Sequence, residues 1–172
     1  MLNIYLVRHG QDTDNVKNIL NGHRDNDLTP LGLSQASDLA FFIKSHKINF
    51  EKVYSSPLKR AYQTASVITK TLDLPNPEVL PDLIERDFGL MTGKMVSEIN
   101  DLPATSLIKT KTITYFLDAP EAETFPQIVA RAQRVLKFLE EKYQDGNILL
   151  VSHGDFGKAI YAAYYNLTAS YW

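Results

Sequence analysis

The apolar positions of this chain fall into two patterns. Continuous runs occur near both ends, Ile4-Tyr5-Leu6-Val7 and Ile148-Leu149-Leu150-Val151, and each runs on to a glycine through Arg8-His9-Gly10 or Ser152-His153-Gly154. Short apolar runs bounded by a turn residue predict buried strands. Elsewhere the spacing is helical. Thr29-Pro30 marks a helix start, and Ala36, Leu39, Ala40 and Ile43 give it one apolar face to about His46. A short strand around Val53-Tyr54 precedes a helix opened by Ser56-Pro57, with Leu58, Ala61, Tyr62, Ala65, Ile68 and Leu72 facing one way and Arg60 in the first turn. Thr124-Phe125-Pro126-Gln127 has the spacing of a capping box. Val129, Ala132, Leu136, Leu139 and Tyr143 follow along a helix that ends at Asp145-Gly146, and a last helix covers roughly Phe156 to Tyr165.

Between these elements the pattern is weaker. Asp12 to Asp27 is polar and aperiodic, a loop over the end of the first strand. Pro75, Pro77 and Pro81 frame a short strand at Val79-Leu80, and about 90–124 reads as an irregular cover segment. Strands alternating with helical crossovers predict an α/β fold, a three-layer α/β/α sandwich with a mostly parallel central sheet. One domain over residues 1–172 is expected.

Composition narrows the function classes. The chain is 44% hydrophobic and 22% charged, with a net charge of −2. No global basic field calls for nucleic acid or an anionic membrane. No apolar stretch approaches the roughly 18 residues of a membrane helix, and the amino terminus lacks a secretory n-region, so a cytoplasmic location is expected. Cysteine is absent, which removes disulfides, zinc thiolate sites and cysteine nucleophiles. Asn166-Leu167-Thr168 matches a glycosylation acceptor, read as coincidence without a secretory signal.

The two run ends carry the chemistry. They bring Arg8, His9 and His153 to the carboxyl edge of the sheet, where open α/β sheets bind ligands. With Arg60 these groups suit a dianion, because guanidinium can pair two phosphate oxygens at once. His9 is the best nucleophile candidate in a cysteine-free chain. A histidine at a strand end also reads as structural, and the pattern alone leaves the two readings level. His46 is taken as surface, and His23 is open. Asp25-Asn26-Asp27-Leu28-Thr29 fits the motif of magnesium-dependent aspartyl phosphatases. It lies in a polar loop rather than at a hydrophobic strand end, so no metal and no cofactor are expected.

Six blocks together resemble the histidine phosphatase superfamily, the phosphoglycerate mutase-like proteins. They are Arg8-His9-Gly10-Gln11 with Asn15, Asn21-Gly22 through Asp25 and Leu28 through Gly32 with Gln35-Ala36, Ser55 through Ala61 with Gln63-Thr64-Ala65, Glu85-Arg86-Asp87-Phe88-Gly89, Glu123-Thr124 with Arg131, and Val151-Ser152-His153-Gly154. The resemblance implies a phosphoglycerate mutase-like fold and a metal-independent site. His9 would attack phosphorus and carry the phosphoryl group. Arg8, Arg60 and His153 would hold the phosphate oxygens. Glu85 would act as acid and then base, though on spacing alone it also reads as a surface carboxylate paired with Arg86. Asn15 would lie at the rim, and Gly22, His23 and Gly154 would add substrate or phosphate contacts.

Asp12 and Asp155 depart from the family pattern and would repel a phosphate unless turned away or paired. Ala122 stands where the family usually has glycine, and the chain stops soon after its last helix. The first reading is a phosphatase of a small phosphomonoester. The alternatives are phosphoglycerate mutase-type transfer and a weakly active homologue that binds a phosphorylated metabolite. Specificity would be set by residues 13–26 and 94–124, whose only bases beyond the acid block are Lys94, Lys109 and Lys111. Tyr115 and Phe116 would cover the leaving group or sit in the core.

Overall fold

The protein is described by a computed structural model, which defines residues 1–101, 106–111 and 114–167. Four parallel strands, β1 (Leu2–Arg8), β2 (Lys52–Ser55), β3 (Glu78–Val79) and β6 (Gly146–Ser152), form a sheet in the order β1-β6-β2-β3. The two apolar runs therefore lie side by side, in a register that pairs Leu2 with Gly146 and Arg8 with Ser152. Residues Ile148 to Val151 are all fully buried. Burial from both faces is why this strand reads as an unbroken apolar run instead of an alternation.

Each face is covered by a helix pair. Helices α4 (Phe125–Lys142) and α5 (Gly154–Tyr164) pack Ile128, Leu139, Phe156 and Ile160 onto Tyr54, Ile148 and Leu150. On the other face α2 (Pro30–Ser45) and α3 (Lys59–Thr71) bring Ala40, Ile43, Ala61 and Ile68 onto Val53, Leu149 and Val151. The result is the expected three-layer α/β/α sandwich on a parallel sheet. Among the described residues, no helix is long and apolar enough to cross a membrane.

The helix starts follow their caps. Thr29 Oγ1 accepts from Gly32 N (3.1 Å) at α2, with Pro30 in the first turn. Thr124 and Gln127 form the capping box of α4, Gln127 Oε1 accepting from Thr124 N (2.8 Å). Other expectations shift. Helix α3 begins at Lys59 rather than Ser56-Pro57, because Ser56 N still donates to Val151 O (3.0 Å) and extends the strand edge. Tyr62 is exposed rather than on the core face. The presumed loop after β1 contains a one-turn helix, α1 (Thr13–Lys17), capped reciprocally by Asp12 and Asn15. The cover segment holds an antiparallel hairpin of β4 (Leu107–Lys109) and β5 (Thr114–Phe116). Three-residue strands are too short to show a period. Beneath it Phe88, Met91, Ile99 and Phe116 form a small separate core.

One close approach fixes the loop that follows β1. Gly10 and Gly32 face each other, so that a Cβ on Gly32 would overlap the carbonyl oxygen of Gln11, and one on Gly10 that of Gly32. Thr29 N donates to Gln11 O (2.9 Å) across the same gap. Overpacking of this kind costs about 1–3 kcal/mol, so Gly32→Ala is expected to lower the urea midpoint by that equivalent. An unchanged midpoint would show that the two segments can part without cost.

Candidate active site

The β1–β6 register sets the two histidines side by side, with ring centroids 5.1 Å apart. His9 N donates to Ser152 O (3.0 Å), continuing the ladder past the end of β1. The Nδ1–H of His9 donates to the carbonyl of Gly10 (2.7 Å), which leaves Nε2 unprotonated. Arg60 Nε donates towards that Nε2 (3.2 Å). Burial, then the nearby Arg60 charge, pushes the pKa of His9 down to about 3. The imidazole is neutral and its free nitrogen is a nucleophile at any ordinary pH.

His153 is buried and shares a 2.7 Å hydrogen bond between its Nε2 and Ser56 Oγ. Leu58 N also donates to that hydroxyl (3.3 Å), whose own proton goes to Nε2 in the tautomer that binds an anion. The imidazole proton then sits on Nδ1, which has no protein partner. A buried donor without a partner calls for an external acceptor. Burial, followed by Arg60 and His9, also holds His153 well below the usual imidazole pKa. Both histidines are therefore neutral here, and the positive charge of the site comes from Arg8 and Arg60.

Arg60 enters from the first turn of α3 and is 1% exposed. Its terminal nitrogens donate to Arg24 O (2.5 Å) and Gly22 O (3.0 Å). Asp12 is its counter-ion, with Oδ2 3.4 Å from Arg60 Nε. The same carboxylate accepts from Asn15 N (2.7 Å) and Asn21 Nδ2 (2.5 Å). The expected repulsion by Asp12 is thus removed by pairing. Arg8 stands exposed at the end of β1, and no described residue pairs with its guanidinium. Thr64 Oγ1 accepts from Gly10 N (3.1 Å) and ties α3 to the loop that carries His9.

Glu85 lies opposite, at the amino end of α5. Its Oε2 accepts from Gly154 N (3.0 Å) and Asp155 N (3.4 Å), and its Oε1 from Phe156 N (3.0 Å) and Arg86 N (2.9 Å). Burial, and then the Asp155 charge, raises its pKa, while the backbone amides oppose the rise. The surface reading of Glu85 is corrected, since the side chain is buried and Arg86 points away from it to other partners. Arg131 clamps this loop, donating to Asp82 O (2.7 Å) and Ile84 O (2.6 Å) and pairing with Glu123 Oε2 (2.6 Å). Asp155, in the first turn of α5, is paired with Lys158 Nζ (3.1 Å) and lies 4.0 Å from Arg86.

A cavity of about 230 Å³ is lined by Arg8, His9, Asn15, Arg60, Glu85 and Gly154, among others. Gly22 and His23 do not line this cavity. Gly22 offers its carbonyl to Arg60, and the Nε2–H of His23 donates to Glu85 O (2.8 Å), so both position other groups. Lys158, which the sequence did not single out, also lines the cavity, together with Arg86 and Tyr115. Lys158 could have been found by its spacing of three from Asp155 on a helix. Lys94, Lys109 and Lys111 do not line it. Phe116 belongs to the small core and also lines the cavity, as Tyr115 does. Asp25 and Asp27 tether α3, accepting from Lys59 N (2.7 Å) and Gln63 Nε2 (2.7 Å). Among the described residues no cluster of His, Asp and Glu could hold a metal ion.

Residues 4–172 match the histidine phosphatase superfamily (branch 1), and the chain belongs to that family. It is similar to a broad-specificity phosphatase of Saccharomyces cerevisiae, 37% identical over 57% of this chain and 44% of the other. It is also similar to a metal-independent phosphoserine phosphatase of Arabidopsis thaliana, 33% identical over 92% of this chain and 66% of that protein. The chain thus matches less than two thirds of the length of these two relatives. Among solved structures, phosphoserine phosphatase of Entamoeba histolytica in complex with 3-phosphoglyceric acid superposes with a TM-score of 0.79 at 27% identity, covering 96% of this chain and 81% of the other.

The two neutral imidazoles make stability depend on pH. Below the ordinary value of 6.5 the unfolded chain takes up protons that the folded chain does not, so stability present at neutral pH is lost as the pH falls towards about 3. The melting temperature should therefore drop between pH 7 and pH 5 (roughly one unit either side of the imidazole range). The decline should be shallower in His9→Asn/His153→Asn. Equal slopes in the two proteins would contradict neutral, buried histidines.

Proposed function

We propose that this chain is a metal-independent phosphatase that hydrolyses a small phosphomonoester through a phosphohistidine at His9. The observation that carries the proposal is the unprotonated Nε2 of His9, which accepts from Arg60 Nε and is held beside a buried His153 whose Nδ1 has no protein partner. In the first step Nε2 attacks phosphorus, the P–O bond to the leaving alcohol breaks, and Glu85 delivers its proton to that oxygen. Arg8, Arg60 and the Nδ1–H of His153 stabilise the charge on the three remaining oxygens. In the second step water attacks phosphorus, Glu85 takes the water's proton, and the P–N bond breaks to release phosphate and free His9. No metal has a part in this cycle, and the only partner it needs is the phosphorylated substrate.

Asn15 is assigned to the rim, since its Oδ1 accepts from Asp12 N (3.3 Å) and it lines the cavity beside Arg8. Gly154 contributes its backbone N–H by holding Glu85 (3.0 Å). Hydrolysis is favoured over mutase chemistry because a mutase needs free positive charge for the second acidic group of its intermediate. The cavity's further cations, Arg86 and Lys158, are already paired. A binding-only homologue is disfavoured because Asp12 and Asp155 both have cationic partners. The cysteine-free chain suits a reducing, cytoplasmic setting.

Hydrolysis of an aryl phosphate in the presence of a chelator tests the proposal. Turnover should persist with chelator and vanish in His9→Ala, and Glu85→Gln should lose about 10²- to 10⁴-fold. Activity surviving in His9→Ala would sink the assignment of the nucleophile. With His9 unprotonated above about pH 3, no acid limb near 6.5 should come from it. Turnover should instead fall as pH rises through the raised pKa of Glu85, which must be protonated for the first step.

A further inference from the structure

The chemistry of the cavity away from the phosphate groups identifies the kind of alcohol it would release. Every lysine and arginine of the chain lies among the described residues, so the cation inventory is complete. Beyond Arg8 and Arg60, two cations line the cavity. Arg86 is 1% exposed, lies between the rings of Phe116 and Phe125, and donates to the carbonyls of Phe116 (2.8 Å), Leu117 (3.0 Å) and Glu123 (2.8 Å). It cannot turn to a substrate. Lys158 Nζ is committed to Asp155 Oδ1 (3.1 Å) and the Tyr115 hydroxyl (3.0 Å). A carboxylate placed beside Lys158 would meet Asp155 as well.

The remaining wall is carbon-rich: Ile19, Leu20, Phe88, Val96, Ile99 and Phe116. Tyr115 and Lys158 are also shared with a second cavity of about 330 Å³, whose other walls include Ile108, Leu117, Phe125 and Ala162. The aromatic face of Tyr115, with Lys158 Nζ 4.4 Å from its centroid, divides the two spaces. An apolar group that passes Tyr115 would gain burial, whereas a charged group would lose hydration without a free partner.

We propose that the site selects phosphate esters of uncharged, largely apolar or aromatic alcohols over esters whose alcohol carries a carboxylate, with Tyr115 as the specificity-determining wall. This rests on the phosphatase reading and adds the leaving-group class. It sets the chain apart from the phosphoserine phosphatases it resembles.

The test compares kcat/KM for 2-naphthyl phosphate with that for O-phosphoserine and 3-phosphoglycerate. The naphthyl ester should be favoured by roughly tenfold or more, the scale on which an apolar pocket discriminates. Tyr115→Ser should reduce the preference mainly by raising KM for the naphthyl ester. Val96→Lys, at a position that is 43% exposed and lines the cavity, supplies an uncommitted cation and should raise turnover of the carboxylated esters. Equal or better turnover of the carboxylated esters by the native chain would overturn the inference. The same comparison is made by calorimetry with unreactive phosphonates, one naphthylmethyl and one carboxylated. Absence of all turnover with tighter naphthylmethyl binding would sink the phosphatase reading and leave the subsite standing, while tighter carboxylated binding would sink the subsite.

Discussion

The parallel pairing of β1 with β6 is the constraint on which the site depends. Seven residue pairs, from Leu2–Gly146 to Arg8–Ser152, hold two strands that are far apart in sequence at one level. Because successive side chains of a strand point to opposite faces, a slip of one residue would exchange the core sets of the two strands and separate His9 from His153. The burial of Ile148 to Val151 between two helix layers makes that slip costly. The site is thus secured by hydrophobic packing below it rather than by the polar bonds within it.

On that base the chain buries charge in quantity. Arg60, Arg86, Glu85 and Asp12 are all nearly or fully inaccessible. Each is supported by backbone groups or by an opposite charge, as buried ions must be. Arg60 is fastened by the carbonyls of Gly22 and Arg24, so the loop after α1, which lines the cavity through Ile19, Leu20 and Asn21, also holds the arginine in place. Arg131 does the same for the Glu85 loop by collecting three carbonyls and the Glu123 carboxylate.

How much could be read from the residues follows from the range of the interactions. The strands, the capped starts of α2 and α4, and the meeting of Arg8, His9, Arg60 and His153 were legible because local pattern and strand polarity determine them. Helix α1 was missed since its apolar face is a single turn, although Asp12 and Asn15 carry its cap. Hairpin β4–β5 was missed because three-residue strands have no period. The bonds of Gly22 to Arg60 and of His23 to the carbonyl of Glu85 join distant parts of the chain, so block similarity did not show them. Lys158 and Tyr115 meet at a sequence separation of 43, a contact no local pattern encodes.

The position of Glu85 has its own consequence. Its carboxylate accepts from four backbone amides at the start of α5, an environment that favours the ion, while burial and Asp155 favour the neutral acid. The two influences pull against each other within one side chain. Burial and Asp155 outweigh the amides, so this carboxyl takes up its proton at a higher pH than a glutamate in water would.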